Sequence, residues 1–121
     1  MSVVADPVGL FLVEAPDGLR LVDVEGRLED ENVASLSALL NYALSDQVTG
    51  IAIDLRGCPD VGPVCLSAML AASSTLQARG DGGVKLVTFP GTAAHHKVTA
   101  LPDLPGYLSA SQALSAFAST A

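Results

Sequence analysis

Residues 51–79, IAIDLRGCPDVGPVCLSAMLAASSTLQAR, constrain the fold of this chain more than any other stretch. Ile51-Ala52-Ile53-Asp54-Leu55 is short, β-branched and mostly apolar, and Gly57, Pro59, Gly62 and Pro63 follow it. That pattern predicts a buried strand ending in a turn. Pro63 suits the first position of a helix, where its missing N–H has no intrahelical partner to lose. Leu66, Met69, Leu70 and Leu76 then recur at helical spacing, and Arg79-Gly80 supplies a cation and a left-handed cap. A buried strand running into a helix places the linking turn, residues 56–63, at the carboxyl edge of a sheet, where binding sites collect.

Half of the 121 residues are apolar, so one domain spanning residues 1–121, with an ordered core over about 8–118, is expected to bury a sizeable interior. Aromatic residues are only 4% and Trp is absent, so Val, Leu, Ile and Ala must build that interior, as suits helices packed on a sheet. A formal charge of −7, with six Lys and Arg scattered from Arg20 to Lys97, argues against nucleic acid and anionic membrane surfaces. Val61 to Ala78 carries no charge but contains Pro63, Ser67, Ser73, Ser74, Thr75 and Gln77, which reads as a core helix and not as membrane insertion. The first residues lack a basic secretory n-region, making the cytoplasm the default location.

In chain order, Met1 to Pro7 reads as a loose end, and Leu10–Ala15 and Leu19–Glu25 as a β-hairpin around Pro16-Asp17-Gly18. In that turn proline fixes φ and glycine supplies a positive φ. Leu19, Val22 and Val24 do not alternate cleanly with Arg20 and Asp23, so the register of the second strand stays open. Val33, Leu36, Leu39, Leu40 and Leu44 form an amphipathic helix capped by Asn32 or a preceding acid. Gly80 to Gly83 lead into a strand over Val84–Thr88, and strand, helix, strand in that order predicts parallel pairing. A short helix over Thr92–Ala100, an edge strand at Tyr107 and Leu108, and a last helix capped by Ser111 complete the chain. Leu36, Leu40, Ile51, Ile53, Leu66, Leu70, Leu86 and Leu114 are the expected core.

The resulting order, β-β-α-β-α-β-α-(β)-α, resembles the STAS domain, the fold of the anti-anti-sigma factors (anti-sigma factor antagonists), over nearly the whole length. The resemblance rests on Val22-Asp23-Val24-Glu25-Gly26-Arg27-Leu28-Glu29, similar to the family's strand ending in G-x-L-D, and on Gly50 to Leu55, similar to its central strand. Val84 to Val87 and Ser111-Gln112-Ala113-Leu114 match later elements in place and spacing. It implies an α/β fold, a STAS-like mixed sheet of four or five strands opened by a β-hairpin and packed with about four helices. It also implies a non-enzymatic regulatory module of the cytoplasm, without cofactor, whose partner is a GHKL kinase-like anti-sigma factor. The alternative is a STAS subunit docking on the ATPase of an ABC-type transport assembly. A homodimer is left open.

In phosphorylatable members of that family the turn opening the second helix reads D-S-S/T-G, and a partner kinase modifies the second hydroxyl residue. Gly62-Pro63-Val64-Cys65 stands there in this chain, so Val64, which has no hydroxyl, occupies the acceptor position. Ser67 is the nearest downstream hydroxyl, one turn into the helix. The expected partner-binding edge comprises Glu29, Asp30, Glu31, Asn32, Asp60, Val61, Gly62, Pro63, Val64 and Ser67. Carboxylates at 29–31 also have an ordinary reading, as favourable charges near a helix N-terminus.

Cys58 and Cys65 flank the same turn, where a reversible disulfide competes with the reading of two small apolar residues. Two cysteines are too few for a closed zinc site, and the adjacent His95 and His96 point apart on a helix, so no metal is expected and the histidines read as surface residues. No G-x-S-x-G elbow, P-loop or H-E-x-x-H is present, and Asp54 at the strand end has no visible partner for acid–base work.

Overall fold

A computed structural model describes residues 8–45 and 47–118; the expected loose end at residues 1–7 lies outside the described residues. Strands β1 (Gly9–Glu14) and β2 (Leu19–Glu25) form the hairpin, pairing antiparallel from Gly9 against Glu25 to Glu14 against Arg20. The turn between them uses two left-handed residues, Asp17 at φ 63° and Gly18 at φ 79°. The sequence assigned positive φ to the glycine alone; Asp tolerates it because its short polar side chain bonds locally.

A 3-10 turn at Asp30–Asn32 opens α1 (Val33–Ser45), followed by β3 (Gly50–Gly57), α2 (Pro63–Ala78), β4 (Val84–Val87), α3 (Ala93–Thr99), β5 (Gly106–Tyr107) and α4 (Ala110–Ala118). The five strands lie in the order β1-β2-β3-β4-β5, and every pair after the hairpin is parallel. Glu29 caps the 3-10 turn that opens α1, and its backbone N–H donates to Asn32 Oδ1 at 2.8 Å, so an acid and Asn32 both take part in a capping box there. At the far end, Ser109 and not Ser111 caps α4: Ser109 Oγ accepts from the N–H of Gln112 at 3.1 Å, and Ser111 sits exposed inside the helix.

The sheet is covered on both faces, unequally. Val22, Val24, Ile51, Ile53, Leu55 and Leu86 meet Leu36 and Leu40 of α1 and Met69 and Leu76 of α2 in the main core. Opposite, Ala52 and Val87 meet Ala113 of α4, with Leu21, Tyr107, Leu114 and Phe117 packed around them. Apolar residues on both faces explain why β2 does not alternate cleanly: Leu19 is buried, like Val22 and Val24, but its side chain belongs to the α4 face. Ser73 is buried in α2 because its Oγ accepts the N–H of Val84 at 3.0 Å, tying that helix to β4. Lys85 is buried on the α4 face with its ammonium 4.8 Å from the Phe117 ring centroid and 5.9 Å from that of Tyr107, and burial lowers its pKa.

Six of the eight expected core residues are buried; Leu70 and Leu114 are only half-buried. Leu70 lies at the margin of the α2 stripe that buries Cys65, Leu66, Met69, Ala72, Ser73 and Leu76. Leu114 borders an open cavity of about 620 Å³ shared with Leu19, Thr49 and Phe117. His95, read as a surface residue, is half-buried with Nδ1 2.7 Å from Thr88 Oγ1, whereas His96 is exposed. Among the described residues no helix is long and apolar enough to cross a membrane.

Candidate functional site

The turn between β3 and α2 meets the turn between β2 and α1. A parallel bridge joins Leu28 to Val61, with Leu28 N–H donating to Asp60 O at 3.1 Å and Gly62 N–H to Leu28 O at 2.7 Å. These bonds bring residues 28–32 against 60–64, so the two segments grouped from the sequence do form one edge.

Within it the side chains have distinct tasks. Val64, in the first turn of α2, is 43% exposed, and Pro63 and Ser67 are also exposed. Val61, counted among the contact residues from the sequence, is fully buried: a valine beside a parallel bridge points into the core. The apolar centre of the edge is therefore Val64 with Pro63. Asp30, which read as a dipole charge for α1, instead serves α2, its Oδ1 accepting the N–H of Val64 at 3.3 Å. Gly62 makes room for it, since a Cβ there would collide with Asp30 Oδ1 and stand 3.2 Å from the Asp30 nitrogen.

We expect Asp30→Ala to cost about 0.5–2 kcal/mol, toward the lower end because the bond is long and exposed. Gly62→Ala should then cost less in the Asp30→Ala background than in the parent. Urea midpoints of the four proteins check this, and equal costs in both backgrounds would remove Asp30 as the reason for glycine.

Asp60 is held by α3. Lys97 Nζ lies 2.6 Å from Asp60 Oδ1 and donates to Val61 O at 3.0 Å, and the Lys97 hydrogen bond holds the Asp60 carboxyl below its ordinary pKa. Both side chains are over a third exposed, so this ion pair contributes little stability. Glu29 and Glu31 remain as the exposed carboxylates of the edge. The Glu31 pKa is raised, first by a hydrogen bond with the Glu29 side chain and then by that neighbour's charge.

Both cysteines are buried and free. Cys58 Sγ donates to Asp60 O at 3.0 Å and Cys65 Sγ to Glu29 O at 3.3 Å. The pair considered for a disulfide thus stands as two reduced thiols tying the two turns together, and burial raises both pKa values, which lowers thiolate reactivity. Asp54 does have a partner: the Arg56 guanidinium grips its carboxylate through two nitrogens, at 2.7 Å and 3.0 Å.

No protein-family model and no curated protein matches the chain by sequence. Solved structures do match its fold. A crystal structure of an anti-sigma factor antagonist from Mycobacterium paratuberculosis superposes with a TM-score of 0.78 at 24% identity, covering 95% of this chain and 97% of that one. The fold is that of the anti-sigma factor antagonists. SpoIIAA in its unphosphorylated form shares this STAS fold at a TM-score of 0.71 and 14% identity, over 93% of this chain and all (100%) of its own. The phosphorylated Bacillus SpoIIAA matches at a TM-score of 0.65 and 15% identity, over 89% and 98%. The STAS resemblance led to a mixed sheet of four or five strands with about four helices, and the observed architecture has five strands and four helices.

Proposed function

We propose that this chain is a non-enzymatic regulatory module of the cytoplasm, an anti-sigma factor antagonist-like protein that engages a GHKL kinase-like anti-sigma factor. The observation that carries the reading is the exposed apolar start of α2 at Val64, rimmed by Glu29 and Glu31, on a fold shared with anti-sigma factor antagonists. A few central desolvated residues supply most of the energy of such an interface, and rim charges set its rate and salt dependence. Asp30, Cys58, Cys65 and the Asp60–Lys97 pair hold the edge in shape.

Phosphate does not switch this turn, because Val64 offers no acceptor and Pro63 and Gly62 replace the family's flanking residues. A phosphate adds about two negative charges at pH 7. Binding is accordingly constitutive or governed by another input. Incubation with the kinase-like partner and ATP is expected to leave the intact mass unchanged, and one stoichiometric phosphate on Ser67 would contradict the reading.

Affinity capture from the native cytosol, followed by identification of the bound proteins, tests the partner class. A GHKL kinase-like protein retained through Val64 supports the proposal; an ABC-type ATPase retained in its place moves the chain to the transport reading.

A further inference from the structure

The hairpin leaves β1 at the edge of the sheet, and its hydrogen-bond phase is fixed by one bond: Ala15 N–H donates to Leu19 O at 3.0 Å. Bonded and non-bonded pairs alternate along an antiparallel ladder. With Glu14 opposite Arg20 and Val13 opposite Leu21, the residues of β1 whose backbone groups bond to β2 are Gly9, Phe11 and Val13. The N–H and C=O groups of Leu10, Leu12 and Glu14 therefore point away from the sheet, and among the described residues no strand pairs with them.

Natural edge strands are usually blunted by Lys, Pro or a bulge, and β1, Gly-Leu-Phe-Leu-Val-Glu, has none of these. Its Phe11 and Val13, 54% and 48% exposed, stand on the α4 side of the sheet, and α4 packs chiefly over β3, β4 and β5. Among the described residues the strand is thus open along its edge, and it is apolar on its free face.

We propose that β1 is a self-pairing edge, and that two copies of this chain join antiparallel about a twofold axis through Leu12 into one continuous sheet. That register follows from the phase. Leu12 meets Leu12 of the second copy as a hydrogen-bonded pair, and Leu10 meets Glu14 likewise, so every outward donor and acceptor from Leu10 to Glu14 finds a partner. Phe11 then falls opposite Val13 at the non-bonded positions, where side chains approach most closely, and an aromatic on a β-branched residue is a favourable cross-strand pair. The contact is isologous, so the Phe11–Val13 pair forms twice.

Charge permits a second copy despite the net −7, because Glu14 is the only charge on the strand and lies opposite Leu10, with Arg20 beside it in its own sheet. A stable interface buries roughly 1,200–2,000 Å². A six-residue strand supplies less, so the pairing is weak and reversible, populated at high protein concentration. The inference is independent of the docking edge at Val64.

Sedimentation velocity on the full chain, from micromolar to near-millimolar concentration, is expected to show a reversible monomer–dimer equilibrium. Amide exchange followed by NMR over the same range should slow at Leu10, Leu12 and Glu14 as dimer forms, while Phe11 and Val13 stay protected throughout because their bonds lie within the hairpin. Val13→Lys, which puts a charge opposite Phe11, and Glu14→Pro, which removes one outward N–H, should each raise the dissociation constant at least about tenfold with the circular dichroism spectrum unchanged. A chain that stays monomeric at the highest concentration overturns the proposal, and so does a dimer in which Leu10, Leu12 and Glu14 exchange as fast as in dilute monomer.

Discussion

Truncating Ile53 to alanine is expected to destabilise the protein by about 2–5 kcal/mol. The side chain is fully buried in the middle of the central strand, between Val22 of β2 and Leu86 of β4, facing α1 and α2. Strands on either side and helices above leave little freedom to collapse onto the lost volume, and residual cavity volume sets the cost beyond simple transfer. Small domains have total stabilities of roughly 5–15 kcal/mol, so a loss of this size takes a large share. Leu70→Ala provides the internal control. Leu70 is only half-buried, loses less contact and leaves a hollow that water can enter, so its cost should be clearly smaller. Urea unfolding followed by circular dichroism separates the two: both should lower the midpoint with the slope unchanged. Equal costs would mean that the margin of α2 packs as tightly as the sheet centre.

That ordering of Ile53 over Leu70 also marks where sequence pattern stops being informative. The Pro-Asp-Gly turn, the run Ile51 to Leu55 and the Pro63 start of α2 are local signals, each carried by a few neighbouring residues, and the elements appear where those signals put them. Leu70 and Leu114 fit the helical period as well as their fully buried neighbours; what exposes them is the position of other elements. The Asp30 bond to Val64 spans 34 residues and the Lys97 bond to Asp60 spans 37, and no periodicity connects such pairs. Asp30 looked like a dipole charge for the helix that follows it, because the bridge between Leu28 and Val61 that carries it to α2 is a tertiary fact. Gly62 was the available clue. A glycine before a helix proline, where a side-chain cap is usual, implies that something external occupies the capping place.

On the proposed function, Val64→Asp should weaken binding of the proposed anti-sigma partner by more than about 1.4 kcal/mol, a tenfold change, while leaving the fold intact. Val64 is 43% exposed and none of the main core rests on it, so the substitution has none of the cavity cost of Ile53→Ala. A carboxylate in the first turn of a helix gains from the helix dipole and loses to the Asp30 carboxylate capping the same turn, two opposed terms that are each small at an exposed site. Melting temperature should therefore change little. In the complex the same carboxylate would be desolvated at the centre of the interface, while Lys97 of this chain is engaged by Asp60 and Val61. Glu31→Gln is the contrast. It removes one of two crowded rim carboxylates, so it should slow association and flatten the salt dependence, with dissociation nearly unchanged. Kinetics by surface plasmon resonance at two ionic strengths, with circular dichroism and a melting curve for each variant, distinguish the two effects. A folded Val64→Asp protein that binds as tightly as the parent would place the docking surface elsewhere on the molecule.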